Sequence, residues 1–365
     1  MESNNSRVIA AMSGGVDSSV AAALLLEKGY EVTGITMEVW DGKVLRWDGG
    51  STGHGCYGPD EEENIENTRK VAQVLGIPLY SYDLRQEYRV EVLDYFRHEY
   101  LSGRTPNPCV RCNRRIKFDA LVEKARDSGL LFDFFATGHY ARVEYDESKH
   151  RYLLKKAIDT TKDQSYFLFS LSQEQLRYAL FPLGCYTKVE VRKIARTIGL
   201  AVADKPESQD FIAGGHHIFI ETEPKPGPVI DRNGNTLGQH RGIVFYTIGQ
   251  RKGLGISSSE PLYVTAIDKE RNTVIVGTKE EVYGDELIAF EPNWIAMEEL
   301  KQPLEVKAKI RYRHSEAEAT VTPLDEDKVQ VKFREPQMAI TPGQAVVFYD
   351  GDVVVGGGTI EQAGK

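Results

Sequence analysis

The sequence predicts an α/β fold: an N-terminal doubly wound parallel-sheet domain, a small central domain and a C-terminal β-barrel, divided at 1–204, 205–286 and 287–365. Three observations predict it. The first 200 residues alternate strand-like and helix-like segments, and strands joined by helices form a parallel sheet covered on both faces. After about Asp204 the segments become short and punctuated by Gly and Pro, as in "EPKPGPVIDRNGNTLG" and "TIGQRKGLGI". From about 287 onward only alternating strands are legible, among them "LEVKAKIRYRH", "KVQVKFRE" and "QAVVFYDGDVVVGGGTI", the pattern of a small barrel or sandwich.

"RVIAAM" (7–12) is a buried strand. "DSSVAAALLLEKG" (17–29) is a helix stopped by Gly29, a natural residue after a helix end. "EVTGITMEV" (31–39) is a β-branched strand. "EEENIENTRKVAQVLG" (61–76) carries acids in its first turn and a Gly stop, as a helix should. "IPLYSYDL" (77–84) is a strand, 86–101 and 114–128 are helical, and "LFDFFATG" (131–138) is an apolar strand running into Gly-His. "TKVEVRKIARTIGL" (187–200) is an amphipathic helix capped by Thr187.

Composition bounds the function. With 365 residues, 41% hydrophobic and 27% charged, the chain reads as a globular protein of two or three domains. The start "MESNNSRVIAAM" lacks the layout of a signal peptide, and the longest apolar run, Val20 to Leu26, is far too short to span a bilayer. Four cysteines make no disulfide framework, so a reducing cytoplasm is expected and no membrane partner. The net charge of −9 argues against an indiscriminate nucleic-acid coat protein but leaves room for a local basic face.

"SGGVDSS" (13–19) lies between a strand and a helix. Its glycines let backbone N–H groups surround an anion, and the following helix turns its positive end to the same place. The Gly-Lys-Ser/Thr of a Walker loop and the Gly-x-Gly-x-x-Gly of a dinucleotide site are both absent. The loop resembles the pyrophosphate loop of the N-type ATP pyrophosphatases, which adenylate a substrate oxygen and release pyrophosphate. "GRTPNPCVRCNRRIKF" (103–118), "ATGHYARV" (136–143), "KDQSYFLFSL" (162–171), "KPESQD" (205–210), "FYTIGQRKGLGI" (245–256) and "TPGQAVVFYDGDVVVGGG" (341–358) follow in that order. Together they resemble the bacterial tRNA-specific 2-thiouridylases, the MnmA type, over nearly the whole chain. The resemblance implies an ATP pyrophosphatase domain followed by the central domain and barrel. It also implies 2-thiolation of the wobble uridine of certain tRNAs, with ATP and Mg²⁺.

The resemblance also implies roles. Ala11, Met12, Ser13, Gly14, Gly15, Val16, Asp17 and Ser18 would hold the ATP phosphates, with Met37 and Gly138 also on the nucleotide. Asp17 would help to hold Mg²⁺, or else serve only as a helix-start residue. Asn107, Pro108 and Cys109 match the stretch that touches the target base. His139, Lys162, Asp163, Gln164, Arg311, Tyr312 and Gln344 match tRNA contacts. Read from the residues alone, Lys307, Lys309, Arg311 and Arg313 alternate with apolar residues and share one strand face, suited to a polyanion or to plain solvation. Arg104, Arg111, Arg114, Arg115 and Lys117 form a second basic cluster beside the thiols.

Cys112 matches the nucleophilic cysteine, with arginines nearby to favour its thiolate, and Cys109 stands where many members carry an aspartate. The usual second cysteine, expected just after Asp210, is replaced by Phe211, Ile212 and Ala213, and none follows Cys185. Cys185 reads as a packing or loop residue. Cys56, Cys109 and Cys112 are therefore expected to ligate a [4Fe–4S] cluster, with Cys112 alone as a persulfide-carrying nucleophile in second place. Zinc would want a fourth ligand such as His54. The sulfur donor is left open between a cysteine desulfurase with a persulfide relay and free sulfide. Two rival functions remain: an RNA-binding module with structural zinc, and an ATP pyrophosphatase acting on a small substrate.

Overall fold

The computed structural model describes residues 6–42, 55–205, 210–212 and 224–364. The chain divides into two compact units, one of residues 1–92, 109–215 and 351–354, the other of 93–108, 216–350 and 355–365. The second unit thus takes in the segment 93–108.

In the first unit β1 (Arg7–Ala11), α1 (Val16–Glu27), β2 (Glu31–Glu38), β3 (Gly55–Tyr57), α2 (Glu61–Leu75) and β4 (Leu79–Asp83) come first. They are followed by α3 (Arg85–Tyr88) and a π-helical stretch 89–94. In the second unit α4 (Tyr95–Leu101) follows. The chain returns through α5 (Pro108–Arg111), a second π-helical stretch from Cys112 to Ala120, and α6 (Leu121–Asp127). Then come β5 (Phe134–Ala136), β6 (Ala141–Asp146), β7 (Arg151–Lys156), α7 (Gln173–Tyr178), β8 (Ala179–Leu180), α8 (Lys188–Thr197) and β9 (Asp210–Ile212).

Five of these strands make a parallel sheet in the order β4-β2-β1-β5-β8. The chain winds from β1 outward through β2 and β4, then returns to β5 on the other side. The strand order therefore reverses between β1 and β5, the crevice where open α/β sheets take their ligands. The continuous apolar run Val20–Leu25 packs α1 against β1, with Val8, Ala10, Met12 and Val32 in one buried core. A buried parallel strand needs apolar residues on both faces, which is why "RVIAA" does not alternate. The antiparallel hairpin of β6 and β7 was not expected from the sequence. α8 starts with a reciprocal cap: Thr187 Oγ1 accepts from Glu190 N, and Glu190 accepts from Thr187 N at 2.7 Å.

The second unit holds two sheets. β10 (Gly227–Ile230), β11 (Thr236–His240), β12 (Tyr263–Asp268) and β13 (Thr273–Gly277) form one, over a core of Val229, Val264, Val274 and Val276. β14 (Tyr283–Trp294), β15 (Leu304–Lys309), β16 (Ala317–Pro323), β17 (Lys328–Met338), β18 (Ala345–Asp350) and β19 (Val353–Gly364) form the other. Pairing runs β14-β17-β16-β15-β18-β19, and β19 pairs back onto β14, closing a six-stranded barrel. Closure removes the sheet's edges.

Candidate active site

The loop after β1 and the loop after β5 meet at the reversal point. Gly14 has φ +70°, and a Cβ there would collide with the Asn64 carbonyl of α2, so only glycine fits. Gly138 sits against the start of α1: a Cβ would lie 2.6 Å from Ser18 N and 2.8 Å from the Asp17 carbonyl carbon. α1 begins after Gly15 without a side-chain cap. Its first N–H groups are thus free of a competing side-chain acceptor at Gly15, and the helix dipole adds to their pull on an anion. Ser18 Oγ instead accepts from Ser13 N at 3.1 Å and ties the loop to the first turn. Met37 stands near the carboxyl end of β2, beside Tyr82 of β4.

Asp17 is not a bare carboxylate. Lys188 Nζ donates to both its oxygens at 2.8 Å, and the Tyr140 hydroxyl donates at 2.9 Å. Lys188 is the first residue of α8, and its side chain is 10% exposed. The loop therefore carries a buried ammonium that the sequence reading missed. A lysine in an amphipathic surface-type helix gives no signal of such a partner 171 positions away. Magnesium fits Asp17 only with Lys188 released from it. Lys205 is a second missed cation: its Nζ donates to Asn64 Oδ1 at 2.7 Å, on the residue that abuts Gly14.

The thiols gather in the first unit. β3 and β9 pair in parallel, Gly55 with Asp210 and Tyr57 with Ile212, which sets Cys56 level with Phe211. The buried ring of Tyr88 stacks on Tyr57 at 5.5 Å and on Phe211 at 6.3 Å. Burial pushes the Tyr88 phenol well up, and Cys112, Cys56 and Cys109 push it the same way. Cys56 is exposed, Cys109 half-buried and Cys112 buried. Burial raises the Cys109 thiol to about 12 and the Cys112 thiol to about 11, with Cys56 adding to both.

One expectation is corrected here. The arginines do not hold a Cys112 thiolate: Arg111 pairs with Glu91 at 3.0 Å, Arg115 lies 3.7 Å from Asp119, and Lys117 is the cation that opposes the burial effect, without overcoming it. In the second unit Arg104 is spent on Glu99 and on the carbonyls of Ile360 and Glu361. Among the described residues no three His, Cys, Asp or Glu side chains are gathered as a metal site. His54 lies outside the described residues.

A thiol at about 11 has a testable signature. Its thiolate fraction rises about tenfold per pH unit below that value, because only the thiolate alkylates. Iodoacetamide should label the exposed Cys56 and Cys185 first, and Cys112 labelling should quicken about a hundredfold from pH 7 to pH 9. A Cys112 rate that begins to level off by about pH 9, followed by peptide mass spectrometry, would show an ordinary thiol instead.

The expected RNA contacts divide. Asp163 is buried and accepts from Ala157 N and from Ser165 N and Oγ, so it shapes its own turn. Gln164 accepts from Tyr140 N at 2.9 Å and so orders the chain beside Asp17's hydroxyl donor. His139 is buried, its Nδ1 lies 2.7 Å from Thr137 Oγ1, and burial holds its pKa well below the usual value, so it is neutral. Asp163 and Gln164 thus position backbone, whereas His139 bonds the Thr137 side chain; Lys162 is half-buried. In the second unit Gln344 Nε2 donates to the carbonyls of Thr105 and Pro106, both at 2.9 Å, and so fixes the backbone leading to Asn107 and Pro108.

The basic strand is also shorter than expected. β15 ends at Lys309, and Arg311, Tyr312 and Arg313 lie in the turn beyond it. Lys307 faces Glu318 of β16 across the ladder, so that face carries both signs. Arg311 donates to the Met338 carbonyl at 2.8 Å, and Lys309 lies over the Tyr312 ring.

Comparison with known proteins matches every part of this architecture. Residues 6–213 match the family model described as the tRNA methyl transferase HUP domain. Residues 217–278 match its PRC-barrel domain, and 284–360 match the aminomethyltransferase beta-barrel domain. The chain is 53% identical over 377 residues to tRNA-specific 2-thiouridylase MnmA 1 of Caldanaerobacter subterraneus subsp. tengcongensis, covering 99% of each chain. It is 49% identical over 365 residues to tRNA-specific 2-thiouridylase MnmA of Acetivibrio thermocellus, covering 97% of this chain and 99% of that one.

Proposed function

The chain belongs to the tRNA-specific 2-thiouridylase (MnmA) family, and from that membership we propose that it replaces the C2 oxygen of the tRNA wobble uridine by sulfur at the expense of ATP. The observation that carries the reading is the uncapped start of α1 at the reversal point of the sheet, walled by Gly14 and Gly138. An anionic chain of phosphates is what such a loop binds.

Oxide is a poor leaving group, so the reaction needs activation first. The uracil O2 attacks the α-phosphorus of ATP, and pyrophosphate leaves. The residues 11–18 hold the phosphates, with Met37 and Gly138 bordering the nucleotide. Lys188, freed from Asp17, meets the negative charge that develops on the leaving pyrophosphate. Magnesium, when bound, screens polyphosphate charge, and Asp17 is the loop carboxylate that would hold it. Asn107, Pro108 and Cys109 present the target base, and Lys162, Lys307, Lys309, Arg311 and Tyr312 supply contacts to the tRNA.

Sulfur then arrives as a persulfide on Cys112. Its terminal sulfur attacks C2 and expels AMP with the former oxygen. The product is a mixed disulfide, C2–S–S–Cys112. Cys109 then attacks Cys112 Sγ, its proton passing to the departing uridine sulfur, which releases 2-thiouridine and leaves a Cys109–Cys112 disulfide. An external dithiol reduces that bridge and is itself oxidised. A persulfide ionises more readily than its parent thiol, so burial that silences Cys112 as a thiol leaves its persulfide competent. A reducing cytoplasm is the compartment that suits this thiol chemistry.

Cys112→Ser separates the two halves. It should abolish 2-thiouridine while leaving tRNA-dependent AMP and pyrophosphate formation within about threefold of the parent, since adenylation uses none of the thiols. Mass spectrometry of nucleotides and digested tRNA reads both. ADP and phosphate as the main products would overturn the adenylation chemistry itself.

A further inference from the structure

Lys205 opens the "KPESQD" stretch, and the steps above give it no task. Its backbone is held from α8 and from the core. Arg192 donates to the Ala203 carbonyl at 2.7 Å and to the Lys205 carbonyl at 3.3 Å, and Lys205 N donates to the Val202 carbonyl at 3.1 Å. Val202 and Ala203 lie in the buried core that packs α1 against β1. From that root the half-buried side chain reaches α2, where its Nζ donates to Asn64 Oδ1 at 2.7 Å. Asn64 is fixed in turn. Its N–H donates to the Asp60 carbonyl at 3.0 Å, and its own carbonyl accepts from Thr68 Oγ1 at 2.8 Å and abuts Gly14. The Lys205 ammonium therefore stands one side chain away from the turn of the phosphate loop, on its α2 flank. Lys188 stands on Asp17, at the start of α1, so two ammonium groups flank the loop. They differ in partner. Lys188 has a carboxylate, whereas among the described residues no carboxylate pairs with Lys205, which rests on a neutral amide oxygen. A half-buried charge on a neutral acceptor gains most when an anion arrives.

We propose that Lys205 holds the β- and γ-phosphates of ATP and stays with them as pyrophosphate leaves. This rests on the adenylation reading above. As the uracil O2 bonds to the α-phosphorus, the bond from that phosphorus to the bridging oxygen breaks and its electron pair stays on the oxygen. The uracil N3–H gives its proton to solvent, and negative charge grows on the departing pyrophosphate. Lys205 leaves Asn64 Oδ1 and meets that charge from the α2 flank, neither giving nor taking a proton. The first N–H groups of α1 keep the α-phosphate. The two ends of the triphosphate thus have separate holders.

Lys205→Gln tests this, because it keeps a donor for Asn64 and removes only the charge. Titration calorimetry without tRNA, and so without turnover, reads ATP, inorganic pyrophosphate and AMP in turn in magnesium buffer. Affinity for ATP and for pyrophosphate should fall at least about tenfold, the scale of one charge-assisted contact. Affinity for AMP should stay within about twofold, since its single phosphate needs only the start of α1. Lys205→Arg, which restores the charge, should recover most of the pyrophosphate affinity. Parental pyrophosphate affinity in Lys205→Gln overturns the role of Lys205. Equal weakening of all three ligands overturns it as well, because loss of a brace on Asn64 would disturb the whole loop. Absence of tRNA-dependent AMP formation in the parent, by contrast, overturns the adenylation reading itself.

Discussion

Gly138→Ala should lower tRNA-dependent AMP formation at least about a hundredfold, the scale that a shift of about 1 Å in a reacting group costs. The new Cβ would lie 2.6 Å from Ser18 N and 2.8 Å from the Asp17 carbonyl carbon. Both are backbone atoms in the first turn of α1, so no side chain can swing aside. Either α1 retreats from the end of β5, or the strand end bends. Both displace the phosphate loop relative to Asp17 and Lys188. Overpacking of this kind costs about 1–3 kcal/mol, so the melting temperature should drop by several degrees at about 2–4 °C per kcal/mol. Gly15→Ala is the contrast. Gly15 has φ −99°, and its Cβ would meet only Ser13 Oγ at 3.6 Å. Its melting temperature should stay within about 2 °C of the parent. Parental AMP formation by Gly138→Ala would remove the nucleotide from this crevice.

The phosphate loop was legible because its signal is local: two glycines and three serines between an apolar run and a helix. The parallel sheet was legible for the same reason, since periodicity and Gly stops are read within a dozen residues. What failed was side-chain pairing that only the fold makes, near or far along the chain. Arg104 and Arg111 look like a basic patch in the chain, but Glu99 and Glu91 neutralise them in the fold. Lys307 looks like one of four unopposed charges until β16 brings Glu318 beside it. The three cysteines stand out in the chain, yet sequence spacing does not show that Cys56 is exposed and Cys112 buried. The register of β3 on β9, which sets Cys56 beside Phe211, joins positions more than 150 residues apart, and no local pattern announces it. Asp163, Gln164 and Gln344 were marked by resemblance alone, and the fold gives each a backbone to hold.

The pairing of Asp17 with Lys188 predicts a second large effect, and the two partners should not behave alike. Lys188's side chain is 10% exposed and Asp17's 29%. Asp17→Asn keeps an acceptor for Lys188 and a partner for the Tyr140 hydroxyl, but leaves the ammonium without its counter-charge in a largely dry place. Stranding a buried charge costs about 3–5 kcal/mol, reduced here to about 1–3 kcal/mol because the amide still accepts a hydrogen bond. Lys188→Met strands the carboxylate instead, which water partly reaches, so its stability loss should be the smaller of the two. Activity should reverse the emphasis. Both variants should lose tRNA-dependent AMP formation at least about a hundredfold, as when a preorganised donor to developing charge is removed. ATP separates them by thermal shift. In Asp17→Asn the triphosphate supplies the anion that Lys188 lacks, so ATP should raise the melting temperature by more than in the parent. In Lys188→Met the phosphates lose their buried cation, and the rise at the same ATP concentration should be smaller than in the parent, following the weaker affinity. An undiminished ATP shift in Lys188→Met would mean that the ammonium serves Asp17 alone and never meets the phosphates.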